Sequence, residues 1–540
     1  MKFATLRYNF RKKGNANMIV EKIKMKNFKK FEGIKEIKFN EDINILIGDN
    51  EAGKSTVLLA LDIVFSGSFS KVDSIGIDNL FNVNAINKFL EGDRNYSNLP
   101  ELHIEVFLKD TGISDLNGED YIESRNNEHD GVKFSCIPNE AYSKEIVEIL
   151  ANENCVFPFE YYICNFSTFC NHPYNSYNKY IKHILIDNSN INSEYAIREY
   201  TTSVYKAYTD KNIQNSNRNL YRQYRSQFER NVLKNTNDDL KSIRFGLSNS
   251  KKLSFENNLA VYENDINISN KGTGKQTMIK TQFALQKQID NIDIILIEEP
   301  ENHLSYANMK KLINSIIQAK DKQIFLTTHN NMICSRLDLR KIICMNSNTD
   351  EALEFNKIEE DTAKFFIKSP NNNILNFILS KKVILVEGAA EYILMEKFFE
   401  ILEHKKMEDC NINIIAVNGL SFERYLEIAQ KLNIKVAVVT DNDGEYNKKV
   451  TGKYKEYKDF DNIEIFAEKN EKFHTFEISL YNNNLKYLKD NKITTSMDIQ
   501  KFMINNKSEN AYRILEKLEN TEQDFVIPQY ICEAIEWIKK

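Results

Sequence analysis

Four carboxylates, each at or just beyond the end of a short apolar run, are the residues best placed to do chemistry. Glu387 closes the run Val383 to Val386 and is followed by a glycine, and Glu391 comes four residues later, opening an apolar-periodic stretch. Asp441 and Asp443 close "IKVAVVTDNDGE" as a D-x-D pair. A short continuous apolar run reads as a strand covered on both faces, and a charge at its end is costly to desolvate. Carboxylates converging there without matching lysines would repel one another unless divalent cations lay among them, and hard oxygen donors suit Mg²⁺ or Mn²⁺. Two such ions about 4 Å apart can clamp the attacking and leaving oxygens of a phosphodiester. The expected metal set is Glu387, Glu391, Asp441 and Asp443, extended by Glu477 in "FHTFEISLY", with Lys507 in "NKSENAYRIL" placed to stabilise developing phosphate charge. A lone D-x-D is usually a solvated turn and a lone lysine a surface group. The ordered set, each member close behind a buried strand, argues for a site.

The elements that must hold these residues alternate. The strand ending at Glu387, a strand in "INIIAVNGL" reaching Gly419 and the strand ending at Asp441 are separated by helical stretches at 390–402 and 422–432. This βαβ order predicts a parallel sheet, whose chemistry gathers beyond the carboxyl ends of its strands.

A second constellation lies nearer the N-terminus. "INILIGDNEAGKSTVLLALDIVF" is a strand (Ile43 to Ile47), a G-x-x-x-x-G-K-S loop (Gly48 to Ser55) and a helix. In that context the loop N–H groups cradle phosphates. Gly48, Asn50, Gly53, Lys54, Ser55 and Thr56 are the expected nucleotide contacts, Lys54 on the β/γ-phosphates and the Ser55 hydroxyl on Mg²⁺. Far downstream, the strand Ile294 to Ile297 ends in Glu298-Glu299, the first suited to hold Mg²⁺ and the second to orient the attacking water. "KQIFLTTHNNM" adds a strand ending at His329, and "ISNKGTGKQTMIKTQFAL" sets Gly272, Gly274 and Gln276 at the start of a helix. The order suggests an ABC-type ATPase head in which His329 senses the γ-phosphate. Gly272, Gly274 and Gln276 resemble its signature loop, which in that family completes the site of a second protomer, so a homodimer or higher oligomer is expected.

The separation of Lys54 from Glu298 is too long for one compact nucleotide-binding core. The expected organisation is therefore 1–108 for the N-terminal half of the head, 109–243 for a helical, dimerising insertion, 244–370 for the C-terminal half, and 371–540 for the carboxylate-bearing domain. In "YRQYRSQFERNVLK", Tyr221, Tyr224 and Phe228 form a stripe suited to an intramolecular core or a partner helix. Residues 1–17 read as an extension, with Met18 an alternative start.

Composition narrows the class. With 72 basic and 77 acidic residues in 540, net charge −5, a uniformly basic nucleic-acid coat is excluded, though a local basic groove is not. Eight scattered cysteines suit a reducing cytoplasm. Cys155, Cys164, Cys170 and His172 match no common zinc spacing and are expected to be ordinary thiols and a loop histidine. No apolar run approaches the roughly 20 residues needed to cross a bilayer.

"VILVEGAAEYILM", "VNGLSFERYLEIAQ", "VVTDNDG" and "FVIPQYICEAIEWI" resemble the Toprim domain and C-terminal helix of the OLD (overcoming lysogenization defect) family, and "INILIGDNEAGKST", "IEEPENHL" and "TTH" its ABC-type ATPase head. The resemblance implies an α/β protein with a split ATPase head followed by a Toprim parallel sheet. It further implies ATP and Mg²⁺ or Mn²⁺ as cofactors, metal-dependent cutting or nicking of DNA under nucleotide control, and a role in anti-phage defence. Relatives include the nuclease subunit of Gabija systems and retron-associated effectors, so a partner protein, a reverse transcriptase or retron DNA is an expected partner class. Topoisomerases and primases also use Toprim sheets, but no tyrosine-bearing gate or polymerising machinery is recognisable here. An SMC- or RecF-like DNA clamp whose nuclease stays silent until a partner or trigger arrives is the alternative reading.

Overall fold

The computed structural model describes residues 18–122, 128–152, 155–176, 179–188, 194–238, 240, 242–247, 255–285, 292–345, 352–356, 358–369, 373–419, 421–494, 498–520, 522 and 524–540. The N-terminal extension 1–17 and the expected boundary at Asn371 and Asn372 lie outside the described residues. The chain divides into two units, one running to His329 and resuming over Lys341–Glu354, the other comprising Asn330–Arg340 and Phe355–Lys540.

In the first unit two sheets enclose one helix. The parallel sheet runs in the order Ala352–Glu354, Ile342–Met345, Ile43–Gly48, Gln323–Thr327, Ile294–Glu298 and His183–Asp187, with the first strand antiparallel to its neighbour. The antiparallel sheet runs Phe31–Lys38, Val20–Phe28, Leu102–Leu108, Glu128–Pro138 and Asn117–Glu119, with Tyr162–Thr168 also paired to Glu128–Pro138. Helix Lys54–Ser66 packs against strands of both sheets and buries ten of its thirteen residues, Val57, Leu58, Leu61 and Phe65 among them. An apolar helix with so little amphipathic bias must be covered all round. Leu102–Leu108 is likewise buried on both faces.

The expected helical insertion over 109–243 needs correcting. Among the described residues, this segment up to Asp187 contributes strands to both sheets with short helical pieces at Glu140–Tyr142, Ser143–Leu150 and Phe159–Tyr161, and its longer helices begin at Glu194. The period-two signal lies in Val132, Phe134 and Cys136, and in Tyr162 and Phe166, all buried; Asn-rich loops around them hid it. Helix Lys211–Asn231 does form, and it buries only Gln214.

The second unit has a four-stranded parallel sheet in the order Ile412–Ala416, Lys382–Val386, Lys435–Val439 and Ile463–Phe466. Its connecting helices Ala389–Glu403 and Phe422–Leu432 fall where the sequence periodicity set them. Helices Phe476–Asp490, Lys507–Leu518 and Gln529–Lys539 complete the core through Phe476, Leu480, Ile514 and Ile531. Among the described residues no helix is long and apolar enough to cross a membrane.

Candidate functional site

The second unit gathers acid at the carboxyl end of its sheet. Glu387 follows the last residue of a central strand, and its Oε1 accepts from the Thr440 hydroxyl at 2.6 Å and from the Asp441 backbone N–H at 2.9 Å. These contacts join the ends of the two central strands. Asp441 Oδ1 accepts from the Phe476 N–H at 2.8 Å, which sets the first turn of helix Phe476–Asp490 beside it. That turn carries Glu477, buried, with Oε2 3.0 Å from Lys507 Nζ and with no hydrogen-bond partner for Oε1 among the described residues. Glu391, buried in the first turn of helix Ala389–Glu403, faces the same group.

The electrostatics record the crowding. Burial, then the charges of Glu387, Glu391 and Glu477, push Asp441 up to about 8. Burial, then Glu477 and Glu387, push Glu391 up to about 7. Burial works to lower Lys507, yet Glu477, with Asp441 and Glu391 behind it, raises its ammonium above the ordinary lysine value. One cation is thus shared among several acids. Asp443, in left-handed backbone (φ 52°), is exposed and turns to Lys449, with Oδ2–Nζ 3.3 Å. The donor set, all carboxylate oxygens with one buried oxygen unpartnered, fits a hard divalent cation. Among the described residues no group of three His, Cys, Asp or Glu side chains is placed to hold one ion as it stands. Thr440 was missed in the sequence; its signal was a hydroxyl residue immediately before the D-x-D.

The first unit brings together Lys54, Ser55, Glu298, Glu299 and His329. Lys54 Nζ donates to the carbonyls of Gly48 and Asp49 at 2.8 and 2.9 Å, folding back over its own loop. Burial lowers its pKa, opposed by Glu299. Gly53 takes φ 97° before the helix, and a Cβ there would come within 2.6 Å of the Phe31 ring. Burial raises Glu298, against a hydrogen bond from Ser55 and with Asp187 and Glu299 adding repulsion. His329 Nε2 lies 3.7 Å from Glu299 Oε1, and burial followed by Lys54 lowers its pKa. Glu301, unremarked in the sequence, accepts from the Thr328 hydroxyl and the His329 N–H, both at 2.7 Å, and so fixes the loop that presents His329. Its signal was a third acid in "EEPENHL".

The glycine-rich turn makes its contacts elsewhere. Gln276 donates to the carbonyls of Ser269 and Lys271, and a Cβ on Gly274 would fall 2.2 Å from the His303 carbonyl oxygen. Gly272 has open space around it. Asn50 and Thr56 flank the loop and the first helical turn. Of the loosely clustered thiols, Cys164 faces Cys136 across paired strands with Sγ–Sγ 2.9 Å, Cys155 donates to the Val156 carbonyl, Cys170 is exposed, and His172 Nδ1 lies 3.9 Å from Asp115.

The AAA ATPase domain family model matches residues 18–334, and the model for the TOPRIM domain of overcoming lysogenization defect-like proteins matches 378–443. Endonuclease GajA of Bacillus cereus strain HuB5-5 is 22% identical over an alignment of 694 positions, gaps included, covering 99% of this chain and 98% of that protein. GajA of strain VD045 is 28% identical over 189 residues, 34% of this chain, and the match spans only 32% of that relative's length. The solved C-terminal region of the Xanthomonas campestris pv. campestris OLD protein aligns with a TM-score of 0.22 and 21% identity over 30% of this chain and 92% of that one. An ATPase head followed by a Toprim sheet defines the class. The chain belongs to the AAA ATPase domain family, matched over 18–334, and carries over 378–443 a Toprim domain of the overcoming lysogenization defect-like type.

Proposed function

We propose that the chain is a nucleotide-regulated, divalent-metal-dependent DNA endonuclease acting in defence against phage. The observation that carries this reading is the acidic group of Glu387, Glu391, Asp441 and Glu477 at the carboxyl ends of the Toprim strands, with Lys507 as its cation. Glu387, Glu391, Asp441 and Glu477 would hold Mg²⁺ or Mn²⁺, with Asp443 at the rim. The bound ions would neutralise phosphodiester charge and lower the pKa of an attacking water. Glu387 keeps the ends of the central strands in register through Thr440 and the Asp441 N–H. Lys507, paired with Glu477 at the edge of the acidic group, would stabilise charge developing on the scissile phosphate. The nuclease assignment is supported by the full-length similarity to a protein named an endonuclease.

In the head, Lys54 would exchange its loop carbonyls for ATP phosphates, Ser55 and Glu298 would hold the nucleotide's Mg²⁺, Glu299 would orient the attacking water and His329 would sense the γ-phosphate. Two copies join through helix Lys211–Asn231, whose Leu220, Tyr224 and Phe228 are 46%, 68% and 46% exposed. Apolar side chains that open to water on one helix suit a second copy of the same face.

The test is supercoiled plasmid incubated with the protein and Mg²⁺, Mn²⁺ or EDTA, with and without ATP. Nicked or linear product that vanishes with EDTA is expected. Cutting that survives EDTA sinks the metal reading. No cutting under any condition, with ATP still bound, favours the silent clamp.

A further inference from the structure

A cavity of about 640 Å³ opens in the first unit at the end of strand His183–Asp187 opposite to its nucleotide-facing end. Asp187 pairs in register with Glu298 at the carboxyl end, whereas His183 pairs with Ile294 at the amino end, and His183 and Ile292 line the cavity. The cavity is therefore separate from the P-loop site. Its walls come from helices Glu194–Tyr208 and Lys211–Asn231, and its volume falls in the range of small-molecule pockets.

The lining is strongly one-signed in a chain of net charge −5. Lys179, Lys182, Lys206, Lys211 and Arg218 face Asp210 and Glu256, and Glu256 is engaged by Arg218. The protein packed around Lys206 lowers its pKa and Arg218 lowers it further, against Glu256, so cations crowd the wall. The hydroxyls of Thr202 and Ser203 add donors, and among the described lining residues there is no phenyl, phenol or indole ring to stack on a base. The floor is preformed: His183 Nε2 is 2.8 Å from Asp62 Oδ1, and Asp62 is also paired with the buried Lys71.

We infer that this cavity is a second anion site, for a compact polyphosphate, either free or as the tail of a nucleotide. Several ammonium and guanidinium donors around a nucleotide-sized space match multiple phosphate oxygens, and confinement concentrates their field. The site is independent of the nuclease reading.

The experiment is calorimetric titration of sodium tripolyphosphate into the full-length Lys54→Ala protein, in which the P-loop lysine is removed, and into the same protein carrying Lys206→Gln and Lys211→Gln. Saturable binding that weakens by about tenfold or more with the two glutamines is expected from the loss of charged hydrogen-bond donors. Matching thermal melts show that these variants, altered at solvent-facing lysines, still fold. Displacement by ATP but not adenosine identifies the nucleotide tail as the ligand; no displacement by ATP identifies the free polyanion. Absence of saturable binding, affinity unchanged by the two glutamines, or competition only by a single-stranded oligonucleotide overturns the inference.

Discussion

The two units collect acid at the same place, beyond the carboxyl ends of parallel strands, and balance it differently. In the head, Lys54 sits near Glu299 and Asp49 and is held by two loop carbonyls, while Ser55 meets Glu298. In the Toprim sheet a single lysine, Lys507, meets Glu477 and leaves Glu391 and Asp441 repelling their neighbours. In the head the lysine is held before any ligand arrives, although Glu298 still feels Asp187 and Glu299. The acidic group of the second unit is the more crowded, with Glu391 and Asp441 both raised by burial and by neighbouring carboxylates. The head thus carries a lysine and two carbonyl contacts beside its acids, whereas the acidic group of the second unit shares one lysine among several carboxylates.

Removing Toprim carboxylates should test this contrast most severely. Glu387→Ala or Asp441→Ala should slow plasmid cleavage by about 100- to 1000-fold, the scale on which a lost electrostatic catalytic group is felt, with ATP binding unchanged. Wild-type cleavage by either variant would move the chemistry elsewhere. Lys54→Ala should weaken ATP by about ten- to a hundredfold, the worth of a charged hydrogen bond, leaving metal-dependent cutting by the Toprim group measurable in the absence of ATP. Loss of that basal cutting would show that the head does chemistry rather than control.

The pH response sharpens the comparison. Folding raises Glu391 to about 7 and Asp441 to about 8, from ordinary carboxylate values near 4. The folded state therefore holds protons that the unfolded chain has released. Their stabilising contribution is present below about pH 4 and is lost as pH rises through 7 to 8. Without metal, the melting temperature should fall across that interval from these two groups, and Mg²⁺ should flatten the trend. A metal-free profile that is level or rising there refutes the crowding. The smallest effect should come from Gly53→Ala, which places a Cβ in left-handed backbone against Phe31. It should cost about 1–2 kcal/mol, read as a lower melting temperature with the Toprim carboxylates unaffected.

Local pattern made much of this legible. The P-loop lies between its strand and helix, and Glu387 and Asp441 follow buried strands, because an apolar run and the residue that ends it are adjacent in sequence. The antiparallel strands Glu128–Pro138 and Tyr162–Thr168 were not read, because each is half-buried and owes its place to partners distant in the chain. Thr440 and Glu301 escaped for a related reason: each acts by a hydrogen bond to a residue from another strand or loop. Asp443 shows the converse, since a D-x-D spacing says nothing of which carboxylate the turn directs to solvent.

Asn330–Arg340 belongs with the second unit, although it lies between His329 and Lys341 of the first. The units are therefore interleaved along the chain, which crosses from one to the other three times, and no single cut separates them. A fragment ending at Glu354 keeps helix Asn331–Arg336 but loses Glu360–Lys368 and Ile374–Leu379, on which that helix packs. A fragment starting at Phe355 loses the helix itself. Gene fission or limited proteolysis in this stretch would damage one unit whichever side was kept, so the two units are bound to travel, and to fold, as one polypeptide.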